Sequence, residues 1–198
     1  MPGVQRRQNE MIPAFWQRPL IGVAASCMMS SGLGLPALAE PYPAFTGLHE
    51  VRAGVYAHDL TGPAHERDGV DLNGEILFKS PGFLAWAFAP RPRLGGTVST
   101  NGGTSLAYAD LGWTIGLTDR IFADLSIGGA IHDGSLGGSS SDENAYGCRV
   151  NFHETLSLGY RVAPAVSVML SAEHMSNAGL CDKNDGLTNL GIRLGYGF

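Results

Sequence analysis

His174-Met175-Ser176-Asn177, near the C-terminal end of this chain, sets a base and a hydroxyl two residues apart. In an extended strand, residues i and i+2 project from the same face, so one substrate can meet both. An imidazole with an unperturbed pKa of about 6.5 accepts a proton at neutral pH. A serine hydroxyl that gives up its proton to such a base becomes a nucleophile toward an acyl carbonyl. That is the chemistry of ester hydrolysis. The adjacent Asn177 offers an amide for a developing oxyanion, a role typically worth about 3–4 kcal/mol. The other histidines (His49, His58, His65, His132 and His153) have no spacing that points to a metal ion, and this chemistry needs no cofactor.

The pair must be carried by a strand, and strands are what the chain is made of. Val51, Ala53, Val55 and Ala57 alternate with polar or small residues, as do Leu72, Gly74, Ile76 and Phe78. The same period of two runs through Ala107 to Leu117, Ile121 to Ile131, Val150 to Tyr160, Val166 to Ala172 and Leu190 to Phe198. A poorer strand spans Arg93 to Ser99. Eight strands of this length fit the 9–11 residues, roughly, that a membrane-crossing strand needs. A soluble barrel would have the same alternation with the opposite sidedness, so the period alone leaves both open. The connections favour the membrane: Thr118-Asp119-Arg120 and Arg161 to Pro164 are tight, whereas 59–70, 132–149 and 177–186 are long and polar. The expectation is an all-β fold, an eight-stranded antiparallel up-and-down transmembrane barrel. Segment 79–90 breaks the pattern, being long and apolar on the rim where a short turn is expected.

Counting from Val166, even positions carry the apolar side, so His174 and Ser176 face lipid and Glu173 faces the lumen. A strand rising roughly 3.3 Å per residue at a tilt near 40° climbs about 28 Å from Ala165 to Ser176. The pair then sits at the outer interface, where polar side chains cost little, about 0–1 kcal/mol. A polar residue tolerated at an interface and a catalytic one read alike at this point. With a turn centred on Val162–Ala163, opposed residues on these two strands have numbers that sum to about 326, which sets Glu154 diagonal to His174, about 7–8 Å away.

Residues 1–39 read as an export leader: Arg6, Arg7 and Arg18, then an apolar stretch from Leu20 to Leu35, then Ala37-Leu38-Ala39 as the cleavage pattern. A transmembrane helix, twin-arginine export and a lipoprotein site at Cys27 are the alternatives; the serines, the distance to the apolar region and the residues before Cys27 count against them. Removing three Arg and one Glu from the 13 basic and 18 acidic residues leaves residues 40–198, one domain, at net −7. That charge excludes a nucleic-acid partner, and 44% hydrophobic with 16% charged residues excludes a disordered chain. Cleavage also turns three cysteines into two, Cys148 and Cys181, on the same outer rim: a disulfide in an oxidising compartment, or two free thiols.

At His174-Met175-Ser176-Asn177-Ala178-Gly179-Leu180, Asn184-Asp185-Gly186 and the final strand, the sequence resembles the outer-membrane lipid A 3-O-deacylases. Phe152, Glu154 and Leu158-Gly159-Tyr160-Arg161 add to the likeness, which covers mainly the C-terminal third. The resemblance implies an eight-stranded barrel of the outer membrane that removes an ester-linked hydroxyacyl chain from position 3 of lipid A, without a cofactor. It implies His174 as base, Ser176 as nucleophile and Asn177 as oxyanion donor, with Phe152, Asn184 and Asp185 near the substrate. The family's triad has a Glu twelve residues after the serine; here that position is Thr188, whose hydroxyl can orient an imidazole but supplies no charge. Glu154 is the expected replacement acid, Asp185 the second. Lipopolysaccharide and outer-membrane lipid are the implied partners. The terminal Phe198 resembles the signal read by the barrel-assembly machinery, and monomer or homodimer both stay open. Two rivals remain: a non-enzymatic barrel of the same ancestry, and a soluble barrel that buries Ile192, Leu194 and Phe198.

Overall fold

The computed structural model describes residues 47–60, 65–137 and 143–198; the expected leader, 1–39, lies outside them. The alternating segments form β1 (Leu48–Ala57), β2 (Val70–Phe78), β3 (Arg91–Ser99), β4 (Leu106–Gly116), β5 (Ile121–His132), β6 (Val150–Ala163), β7 (Val166–Ser176) and β8 (Leu187–Gly197). Each strand pairs antiparallel with the next, and β8 closes onto β1. Closure leaves no free sheet edge, the condition for a sheet to survive in hydrocarbon.

The faces are inverted relative to a soluble barrel. Ile192 and Leu194 are 55% and 60% exposed, and Leu72, Val98, Ile127, Leu156 and Leu170 likewise point outward. Arg52, Glu75, Arg93, Asp124, Glu173 and Arg193 are buried inside. Oily residues outside and charges inside describe a protein whose outer solvent is lipid, and the soluble-barrel rival fails here.

The interior is packed with these charges. Asp124 accepts hydrogen bonds from two nitrogens of Arg52 (2.9 and 3.2 Å) and two of Arg93 (2.8 and 3.0 Å). Arg193 pairs with Glu75 at 2.8 Å, and His153 bridges Asp110 (2.9 Å) and Glu173 (3.2 Å). A buried ion pair gains little over an apolar core, but removing one partner strands a charge. Asp124→Asn is therefore expected to destabilise the barrel by about 3–5 kcal/mol. The urea midpoint of protein refolded into lipid measures it; an unchanged midpoint would show that both guanidinium groups find other partners.

Both barrel ends and the tight turns after β4 and β6 share one rim, taken as periplasmic. At the first of these turns, the N–H groups of Leu117 and Thr118 both donate to the carbonyl of Ile121. The loops after β1, β5 and β7 form the other, outer rim, where a disulfide joins Cys148 to Cys181 (Cα–Cα 6.0 Å). Segment 79–90 is at the periplasmic rim and contains a 3₁₀ helix, Gly82–Ala87.

The turn between β6 and β7 corrects one expectation. The turn falls at Pro164 and Ala165 rather than at Val162–Ala163, which slides the pairing by two residues, so Leu156, rather than Glu154, faces Ala172. Glu154 lies directly opposite His174. A slide of two residues leaves every side chain on its own face, and the irregularity between Arg161 and Ala163 absorbs the odd residue next to the turn.

Candidate active site

Three strands bring the candidate residues into one outward row. His174 on β7 is opposite Glu154 on β6 and opposite Thr188 on β8. All three are half-buried and face out at the outer end of the barrel. Imidazole Nδ1 lies 2.9 Å from Thr188 Oγ1. No hydrogen bond joins Glu154 to His174 among the described residues; as directly paired cross-strand partners, their Cβ atoms are expected about 4.5–5.5 Å apart.

One step further out, Ser176 is half-buried beside Phe152, its partner on β6. Continuing the β7–β8 register sets Gly186 across from Ser176. Gly186 has φ +75°, and a Cβ there would sit 3.3 Å from His174 Cε1 and 3.9 Å from Nε2. Glycine thus serves twice: it adopts a left-handed backbone and leaves space at the imidazole edge opposite the Thr188 contact.

The loop after β7 departs from the expected roles. Asn177 is only 2% exposed, because alternation turns it inward. Its Nδ2 donates to the carbonyls of Tyr146 (2.7 Å) and Lys183, and its Oδ1 accepts from Gly179 N (2.9 Å). Its backbone N–H donates to Asn184 Oδ1 (2.8 Å). Every donor of Asn177 is thus engaged in shaping the loop, which corrects its assignment as oxyanion donor. Two other donors on this loop remain uncommitted among the described residues. Ala178, left-handed at φ 54°, presents an N–H with no partner among the described residues, and Asn184 keeps its Nδ2 while Oδ1 is used.

Asp185 is also structural: its Oδ2 accepts from Ala145 N (2.7 Å), and its N–H donates to Ala145 O (3.1 Å). It joins the two disulfide-linked loops and is not aimed at His174, which removes the second-choice acid. Glu173, in the lumen, is held by Thr97, His153 and Asn189.

A polar network behind the row was not legible from spacing, because its members come from four separate segments. His58, just beyond β1, is held between Asp71 (2.7 Å from Nδ1) and Glu66 (2.9 Å from Nε2). Tyr146 and Thr104 both donate to Glu66 Oε1, and Asp59 Oδ2 accepts from Asn144 Nδ2 (2.8 Å). Leu60 N–H donates to Thr188 O (2.8 Å), which ties this network to the backbone of the candidate row. Burial opposes the charge on His58, but its bonds to Asp71 and Glu66 prevail and lift its pKa from 6.5 to about 9. Burial likewise opposes ionisation of Glu66, yet His58, Thr104 and Tyr146 lower its pKa to about 2.

The linkage has a definite sign. A raised histidine pKa stabilises fully below the unfolded value of 6.5 and is lost as pH climbs through about 9. The depressed Glu66 stabilises above 4.5 and is lost as pH falls through about 2. The outer loops should therefore hold firmest between pH 4.5 and 6.5 and loosen toward pH 9. Tm measured from pH 6 to 10 should fall in wild type and stay flatter in His58→Gln. Identical slopes in the two proteins would remove His58 as the cause.

Comparison with known proteins fits this arrangement. The family model described as lipid A 3-O-deacylase (PagL) matches residues 100–197. Among solved structures, the outer membrane enzyme PagL aligns at 21% identity and TM-score 0.55, over 74% of this chain and 98% of that one. Neisserial surface protein A (NspA) aligns at 12% identity and TM-score 0.53, over 77% of this chain and 98% of that one. At these identities the structural likeness concerns the fold, an outer-membrane barrel. No curated protein matches the sequence. The matched segment, just under half of the chain, holds Glu154, His174, Ser176, Thr188 and both cysteines of the disulfide, and it is this segment that matches the lipid A 3-O-deacylase (PagL) family.

Proposed function

We propose that this chain is an active ester hydrolase that removes the 3-hydroxyacyl chain from position 3 of lipid A in the outer leaflet. The observation that carries the reading is the outward row on β6, β7 and β8. A histidine with one ring nitrogen held at 2.9 Å by Thr188 stands one step below a lipid-facing serine. With Nδ1–H donating to Thr188 Oγ1, Nε2 is the unprotonated nitrogen, free to take the Ser176 proton.

Ser176 Oγ attacks the ester carbonyl while His174 removes its proton. The tetrahedral oxyanion meets the Ala178 N–H and Asn184 Nδ2, donors of a kind worth about 10²–10³ each in kcat. His174 then protonates the departing sugar oxygen, and water hydrolyses the acyl-serine with the same histidine as base. Glu154 stabilises the transient imidazolium by its charge, while Thr188 sets the ring orientation, so one acid's two duties are divided between flanking strands. Below the row, Leu158, Tyr160, Val168, Leu170 and Ile192 line a furrow in the lipid-facing wall. It begins four residues down β7, about 13 Å along the strand, and suits a single acyl chain.

Export through a leader of residues 1–39 and insertion by the barrel-assembly machinery belong to the same proposal. The test is the mass spectrum of lipid A from cells with and without this protein. Loss of one hydroxyacyl chain is the expected result. Unchanged lipid A, with folded barrel in the outer membrane, would favour the non-enzymatic reading, to which Thr188 in place of an acid already lends weight.

A further inference from the structure

The segment between β2 and β3 has no part in the outward row. It lies at the periplasmic rim, and in the closed order β3 is across the barrel from β7. Residues 81–90 contain no charged side chain. Phe83, Trp86 and Phe88 are 75%, 82% and 89% exposed, more than any other aromatic side chain among the described residues. In water such a cluster would have nothing to offset it.

The backbone holds this cluster outward. Pro81 starts the 3₁₀ helix Gly82–Ala87, and Phe88 and Ala89 follow at φ 63° and 51°. Two adjacent left-handed residues without glycine are unfavourable locally and persist only where the surroundings fix them. Two contacts do so: Phe88 N–H donates to Ala85 O (3.2 Å), and the indole of Trp113 donates to Ala87 O (2.9 Å).

The second contact shows which surface the segment joins. Trp113 is on the outward face of β4, in line with Leu111 and Ile115, which are themselves exposed to the surrounding lipid. The segment is therefore continuous with the lipid-facing wall and does not cap the lumen. Lys79, exposed where the segment leaves β2, adds a cation at the level of headgroup phosphates. Aromatic rings flanked by a lysine are the side chains that settle at a bilayer interface.

We propose that residues 81–90 form a wedge that inserts Phe83, Trp86 and Phe88 into the phospholipid leaflet on the periplasmic side and anchors the barrel there. The partner is the headgroup–acyl boundary of that leaflet. Neither a second copy of the chain nor a soluble protein is required.

Trp86 reports on the proposal directly. The protein is refolded into phosphatidylethanolamine–phosphatidylglycerol vesicles, with Trp86→Phe as the subtraction control. The Trp86 component should be blue-shifted, quenched by phospholipids brominated near the headgroup, and shielded from iodide present on both sides. In Phe83→Ser/Phe88→Ser, which keeps the reporter, iodide quenching of Trp86 should rise severalfold. Heat-modifiable gel mobility verifies that each variant is a folded barrel. A Trp86 component that iodide quenches and bromolipid does not would overturn the proposal. So would shielding from both quenchers accompanied by cross-linked dimers through this segment, since a second copy would then be the cover.

Discussion

Ser176→Ala should abolish release of hydroxy fatty acid from purified lipopolysaccharide while leaving the barrel folded. Where serine and histidine act as one unit, removing either costs about 10⁶ in kcat. His174→Ala should therefore be as inactive as Ser176→Ala, and the double variant no worse than either. Neither side chain carries the fold: both are half-buried at the lipid-facing rim, and their backbone pairing survives truncation. Heat-modifiable mobility should be unchanged, which separates lost chemistry from lost structure. Substantial activity in Ser176→Ala would sink the assignment outright.

The second large effect concerns the divided acid. Glu154 is directly opposite His174 on the same outward face, so an extended Glu154 side chain can reach the ring during the reaction. At an effective dielectric constant near 20, a unit charge brought to about 5 Å is worth about 3 kcal/mol to an imidazolium formed in the transition state. Glu154→Gln should thus lower kcat by about 10²-fold with little change in KM. Thr188→Glu would bring a carboxylate to Nδ1 itself, where neutralising the acid of a serine triad costs about 10⁴. It should raise kcat at neutral pH and make the rate indifferent to Glu154→Gln. If Glu154→Gln alone is fully active, the charge on β6 has no part in catalysis and the row works through the Thr188 hydroxyl alone. A kinetic series on the four proteins, with mobility as the folding control, decides it.

Much of this was legible before any coordinates. The period of two assigned each side chain to a face, so His174, Ser176 and Thr188 could be set together on the outside and Glu173 inside. Register was another matter. The turn at Pro164 and Ala165 slides β6 by two residues past β7 while every residue keeps its face, and only pairing reveals it. It moved Glu154 from a diagonal neighbour to a direct one. Asn177 shows a different limit. Its type and place beside the serine suit an oxyanion donor, yet its amide is consumed by carbonyls of residues 146 and 183 that no local pattern brings near.

The sequence by itself determined the strand content, the antiparallel order, the long and short rims and the His-x-Ser pair, because these depend on local alternation and turn chemistry. A mean hydropathy of +0.03 concealed the membrane habit by averaging an oily face with a polar one. The tertiary structure alone decided which carboxylate faces His174, that Thr188 holds its Nδ1, and that the lumen is filled by ion pairs. It also turned the 79–90 segment outward onto the wall. These depend on contacts between residues far apart in the chain, and closure of the sheet is what brings them together.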